Sequence, residues 1–227
     1  MINKIFWDST FKNNTKSQRN FPNEELCRFL GRNYKKKNEI NVLELGCGTG
    51  SNVAAFTYYK MNYTGIDFSE HAIQICKKKY KKNKKLKFLK LNMLEINKLK
   101  KKYDLIVDIF STYNLNLNQN KILITQIEKK LKKNGIYFMY TPSKKSTSWI
   151  KEKNRFDKST LISFEREKSP FYGNKGYFRF ISMNEIKKDF SNKKFEIKYC
   201  ENSSRTYNGT REYFEFFSVE IRKLRNN

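Results

Sequence analysis

The residues best suited to chemistry stand in two groups. Glu44-Leu45-Gly46-Cys47-Gly48-Thr49-Gly50 joins the apolar run from Val42 to Leu45 to a segment that starts at Ser51 and Asn52 and continues through Ala54, Ala55 and Phe56. The run reads as a short buried strand and the later segment as a helix, so the glycines form a tight turn between them. Glycine allows dihedrals that a Cβ obstructs and lets a ligand approach the backbone, while free N–H groups and the positive helix end face that ligand. The spacing matches neither Gly-x-Gly-x-x-Gly nor Gly-x-x-x-x-Gly-Lys-Ser/Thr, so the pyrophosphate grips of dinucleotide and ATP sites do not fit. The second group is Tyr63-Thr64-Gly65-Ile66-Asp67, a strand ending in an acid. An acid there is placed to accept from both hydroxyls of a ribose lying across the strand ends.

Together these residues resemble the class I S-adenosylmethionine-dependent methyltransferases, whose first motif takes the form Glu-x-Gly-Cys-Gly-x-Gly. The resemblance implies S-adenosyl-L-methionine as cofactor, with Glu44, Gly46, Cys47, Gly48, Gly50 and Asn52 around its methionine part and ribose, and Asp67 and Phe68 at the ribose. After the strand Leu86–Leu91 the family often carries an Asp that accepts from the adenine amino group. Asn92 stands there in this chain and still accepts through its carbonyl oxygen, with Met93 expected on the ring. The resemblance also implies a Rossmann-like α/β fold, a seven-stranded and mostly parallel sheet in the order 3-2-1-4-5-7-6 with helices on both faces.

Several further elements must position these groups. Tyr103–Phe110 is the clearest buried strand, and the residues leaving it border the place where ligands gather in an open parallel sheet. Asp108 is expected beside the cofactor, and Ser111 and Tyr113 beside the acceptor. Residues 1 to 38 read as an N-terminal helical extension or lid, in which Phe6, Trp7 and Phe11 need a surface to lie on and Pro22 to Glu25 start a helix. A helix is expected around 119–133, stopped by Asn134-Gly135, followed by the strand Ile136–Tyr140. Residues 143–180 read as an insertion that roofs the acceptor pocket, supplying Glu165, Tyr172, Tyr177 and Arg179. Tyr113, Glu165 and Asp108 are the candidate catalytic groups, and Trp7, Ser111, Tyr113, Tyr172, Tyr177 and Arg179 the candidate substrate contacts. Ser182 and Glu185 form a capping box. Two closing strands are expected at Phe195–Cys200 and Glu212–Ile221, joined by a polar turn.

The chain has 227 residues, enough for one sizeable core, and a single domain is expected. Its formal charge is +26, which favours polyanion partners in general. The excess is lysine in runs such as Lys77-Lys78-Lys79 and Lys100-Lys101-Lys102, which read as solvated helix ends and loops. Four cysteines without metal-ligand spacing suggest a reducing compartment, and a cytoplasmic protein is expected. One histidine gives no metal pattern, and no membrane-spanning run is present. The chain lacks the Asn/Asp-Pro-Pro-Tyr/Phe and Pro-Cys motifs of base methylation, so nucleic acid is the less favoured substrate. The leading expectation is methyl transfer to oxygen or nitrogen of a small polar acceptor, in one variant anionic, such as a metabolite or sugar derivative, by a monomer or homodimer. RNA or protein methylation and a non-catalytic cofactor-binding subunit are the alternatives.

Overall fold

A computed structural model of the protein describes residues 2–13, 20–35, 39–207, 209 and 211–224, and within the first helix the side chains of residues 7–12. The expected side-chain packing of Phe6, and parts of the N-terminal extension and of the polar turn near residue 208, lie outside the described residues.

Alternation of apolar residues builds the main sheet. Strands β1 (Asn41–Leu45), β2 (Asn62–Asp67), β3 (Leu86–Lys90), β4 (Tyr103–Ile109) and β5 (Leu131–Pro142) run parallel. The smaller strands β6 (Arg155–Asp157), β7 (Thr160–Ser163) and β8 (Lys175–Arg179) form a separate antiparallel sheet. The closing strands β9 (Phe195–Tyr207) and β10 (Glu212–Lys223) complete the order β3-β2-β1-β4-β5-β10-β9. Numbered within the main sheet alone, that is the expected 3-2-1-4-5-7-6, with β10 antiparallel to both neighbours. The central strands are buried on both faces because helices cover both, as a parallel sheet requires.

On one face α2 (Glu24–Asn33), α3 (Val53–Tyr58) and α4 (Glu70–Lys79) bury Phe29, Phe56 and Ile73 against Val42, Leu105 and Phe138. Phe29 stacks on Phe138 with ring centroids 4.2 Å apart. On the other, α5 (Leu117–Lys130) and α7 (Met183–Phe190) bury Leu123, Ile127, Ile186 and Phe190 against Leu43, Ile106, Tyr137 and Val219. The helix starts are locally encoded. Asn23 caps α2, Ser69 caps α4, and Ser182 with Glu185 makes the expected capping box of α7. The remaining helices are α1 (Ile2–Asn13) and the short α6 (Thr147–Lys151).

Two boundaries differ from expectation. The helix expected over 119–133 spans Leu117–Lys130, because Asn116 and Gln119 form a second capping box upstream and Leu131 is drawn into the sheet opposite Tyr103. Asn134 adopts φ 60° inside the irregular start of β5, not at a helix end. The polar turn expected from Asn202 is largely strand, since β9 continues to Tyr207 in register with Glu212.

Candidate functional site

The turn between β1 and α3 has the conformation its glycines foretell. Gly46 has φ 65° and Gly48 φ 51°. A Cβ on Gly46 would fall 2.6 Å from the Ser111 Cβ, and one on Gly48 would meet the Phe11 ring at 3.4 Å. Gly46 is therefore constrained by both conformation and space.

The polar side chains around the turn serve chiefly to fix it. Glu44 is buried, with one oxygen accepting from Asn52 Nδ2 at 2.6 Å and the other from the Tyr63 hydroxyl at 2.5 Å. Burial drives the Glu44 carboxyl up to about 7, a rise opposed by those two hydrogen bonds and reinforced by Asp67 and Asp108. Asn52 Oδ1 accepts in turn from the Asn23 backbone N–H at 2.9 Å, tying the turn to α2. Asp67, at the end of β2, accepts from the Gly48 N–H and the Ser69 N–H, each at 2.9 Å. Its carboxyl is raised by burial, against the pull of those amides. Cys47 points away from the turn's open side into the α2–α4 core. Its thiol and that of Cys76 both donate to the Gly48 carbonyl. Cys47 is pushed well up, first by its hydrogen bond with Cys76 and then by burial. Phe68 follows Asp67 and is half-buried. Met93 lies beside Gly46, its Cε 3.6 Å from where a Cβ would be, and Asn92 Oδ1 accepts from the Leu94 N–H at 3.0 Å.

The exit of β4 contradicts two expectations. Asp108 is fully buried and accepts from the Ser111 N–H and hydroxyl, the Thr112 N–H and the Thr112 hydroxyl. A carboxylate so enclosed has its oxygens held by the loop and serves as its brace. Ser111 is likewise buried and turned into the fold. Its hydroxyl reaches the Leu45 carbonyl at 2.6 Å and its Cβ packs into the space left by Gly46. Phe110, at the expected end of this strand, is the residue that makes this possible. With φ 53° it turns the chain off the sheet, and its N–H is anchored on the Tyr140 carbonyl at 3.0 Å.

Residues 36–203 match the Methyltransferase domain family. The chain belongs to that family. Solved structures share its fold. One is an S-adenosylmethionine-dependent methyltransferase from Methanosarcina mazei, 15% identical, covering 87% of this chain and 98% of that one with a TM-score of 0.68. Another is the N-methyltransferase NodS from Bradyrhizobium japonicum WM9 with S-adenosyl-L-homocysteine, 13% identical, covering 96% and 98% with a TM-score of 0.64. A curated relative, the ubiquinone biosynthesis O-methyltransferase of Pelagibacter ubique (strain HTCC1062), is 33% identical over 116 residues, 51% of this chain. The chain spans about half the length of that relative, as the match covers 48% of it.

S-adenosylmethionine is the cofactor named for the Methanosarcina mazei neighbour, and S-adenosyl-L-homocysteine is bound in NodS. The residues of this chain fit that cofactor: Gly46 and Gly48 hold the turn at φ 65° and 51°, and Asp67 ends the adjacent strand. The methyltransferase also lays α1 across the turn. Trp7 Nε1 donates to Asn114 Oδ1 at 3.0 Å, Ser69 Oγ donates to Asp8 at 2.5 Å, and Phe11 packs over Gly48. The first of these contacts follows β4, the second follows β2 and the third sits on the turn. Asp8 and Phe11 were legible only as part of an aromatic segment in need of a surface.

On the acceptor side the methyltransferase keeps some expected residues and displaces others. Tyr113 is buried in an aromatic cluster, its ring 4.3 Å from both Phe110 and Phe178. Phe164, Phe171, Phe214 and Phe216 complete the cluster, and Trp7 packs against it. Tyr177 is half-buried against Phe156, at 4.6 Å. Arg179 is not a fork offered to an acceptor. It is 3% exposed on the strand face opposite Phe178, where Tyr137, Asp108, Asp189 and Glu185 surround its charge. Burial lowers its affinity for the proton, and those groups only partly oppose that effect. Glu165 is exposed where the chain leaves β7, next to the Ser163 hydroxyl, which leaves it outside any water-excluded site. Tyr172 is 57% exposed in the turn before β8 and is no pocket wall. Among the described residues no group of three or more His, Cys, Asp or Glu is placed to hold a metal ion, and no helix is long and apolar enough to cross a membrane.

A groove of about 1470 Å³ lies elsewhere, lined by Arg32, Lys194, Tyr199, Glu220 and Arg222 among others. Three of its cations are paired with acids: Arg32 with Glu220 at 2.7 Å, Lys194 with Glu128 at 2.9 Å and Arg222 with Glu196 at 2.8 Å. None of the expected site residues lines it.

Proposed function

We propose that the enzyme methylates an oxygen or nitrogen of a small polar acceptor that enters between α1, the β4 exit and the second sheet. The observation that carries this reading is the enclosure of the β4 exit. Phe110, Tyr113, Phe178 and Phe216 form a continuous aromatic wall there, and α1 lies across the neighbouring turn. Aromatic surroundings with few polar groups suit a small molecule, whereas a folded RNA or protein needs an open approach to the reacting atoms. The curated relative acts as an O-methyltransferase, which favours oxygen as acceptor. The anionic variant rested on Arg179 and loses that support, since Arg179 faces acids inside the fold.

The sulfonium of the bound cofactor supplies an electrophilic methyl group, so the protein's task is positioning and exclusion of water. The glycine turn and Asp67 orient the cofactor, the aromatic wall keeps water from the acceptor, and Tyr113, in the turn that leaves β4, orients an acceptor hydroxyl. Incubating the enzyme with isotopically labelled S-adenosylmethionine and a fractionated cell extract tests the reading. Label in the low-mass fraction, reduced by Tyr113→Phe through turnover more than through KM, is the expected result. Label confined to RNA or protein rejects it.

A further inference from the structure

Tyr63 lies on β2, yet its hydroxyl serves the neighbouring strand. The ring is 1% exposed, packed 5.1 Å from Phe56 and 5.7 Å from Phe88, and the hydroxyl donates to Glu44 on β1. Glu44 holds Asn52, Asn52 accepts from the Asn23 N–H, and Asn23 caps α2 by accepting from the N–H groups of Glu25 and Leu26. A chain of hydrogen bonds therefore runs under the glycine turn from β2 through β1 and the start of α3 to α2. Gly65 bears on the same point, because a Cβ there would stand 2.6 Å from the Tyr63 oxygen. Glycine at this position leaves room for the phenol to reach Glu44.

We propose that Tyr63 is a positioning residue for the cofactor: through Glu44 and Asn52 it holds the turn from Gly46 to Gly50 in the shape that binds S-adenosylmethionine. Each oxygen of the buried carboxylate has one side-chain donor, and losing either leaves a desolvated charge underbonded. The titratable groups facing Glu44 are Tyr63 and Asp67 from β2, Asp108 from β4 and Cys47 from the turn. The Tyr63 bond opposes the upward push that burial and the two aspartates exert on Glu44. Without it the carboxyl protonates at still higher pH.

The test is S-adenosylmethionine affinity by calorimetry from about pH 6 to about pH 9 for the parent, Tyr63→Phe, Glu44→Gln and the double variant. Tyr63→Phe keeps the ring and should weaken binding about 10-fold to 100-fold, the range for a hydrogen bond to a charged group, with kcat at saturating cofactor nearly unchanged. The pH midpoint of affinity should rise. Glu44→Gln should flatten the pH dependence, since its amide donates to the phenol while its oxygen keeps Asn52, and Tyr63→Phe should cost far less in that background. Affinity of Tyr63→Phe within about twofold of the parent with an unmoved midpoint, or the same loss in both backgrounds, overturns the proposal. Should Tyr63→Phe fail to fold, Glu44→Gln decides: unaltered pH dependence in that variant overturns it.

Discussion

At the scale of single residues, Asp67 and Glu44 divide the electrostatics of the cofactor site. Asp67 spends one oxygen on Gly48 and one on Ser69, so an Ala there removes a brace of the turn. Asp67→Asn preserves shape and one acceptor, and should weaken S-adenosylmethionine binding by about 1–3 kcal/mol in a calorimetric titration. Unchanged affinity would remove Asp67 from the site. Glu44 makes a second prediction, about pH. Its carboxyl is raised to about 7 in the folded protein, and a ligand with a positive sulfonium stabilises the ionised form. Affinity for S-adenosylmethionine should thus be highest above that value and decline as pH falls through it, while S-adenosylhomocysteine, whose sulfur is neutral, should change less. Parallel pH profiles for the two ligands would show that Glu44 does not sense the sulfonium. Glycine spacing and a strand-end acid were legible in the sequence because backbone conformation demands them locally. Arg179 and Asp108 were not, because whether a strand-end charge faces a cleft or the core depends on what packs on each face. In β8 the odd face happens to meet Tyr137 and α7.

At the scale of elements, α1 is the part whose position the sequence left open. Trp7 and Phe11 announced a need for a surface, but nothing local said which one. The partners are Asn114, Ser69 and Gly48, brought together by the parallel strands that end side by side. The helix therefore reports on the site directly. The chain has two tryptophans, and Trp149 sits on α6 with Arg155 over its ring at 3.9 Å. In a Trp149→Phe variant the remaining Trp7 should change its fluorescence when S-adenosylmethionine is added, because a ligand reaching the glycine turn must shift the Phe11 and Trp7 contacts. A titration with normal affinity and silent fluorescence would place α1 outside the cofactor's path. The boundaries of α5 illustrate a different limit. Asn116-x-x-Gln119 is a start signal in the sequence, while the early stop at Lys130 comes from pairing of Leu131 with a distant strand.

At the scale of the whole molecule, the charge of +26 and the closed site make opposite suggestions about the substrate. The lysine runs at 77–79 and 100–102 stand at the end of α4 and before β4, where cations face water. Within the groove near Tyr199 several cations are already paired with carboxylates. Any attraction of such a surface to nucleic acid would come from counterion release, a term that carries no information about the methyl acceptor. The two contributions separate by salt. Raising salt from about 50 to about 200 mM should reduce RNA retention steeply, by as much as 10³-fold for a protein with many phosphate contacts. The efficiency of methyl transfer to a small acceptor should change far less, because surface charges beyond the Debye length of about 8–10 Å are screened and the β4 exit is lined by aromatic rings. Measuring kcat/KM and RNA binding in the same buffers distinguishes the cases. If transfer fell in step with RNA release, the charge would belong to the substrate and the aromatic enclosure would have to open for it.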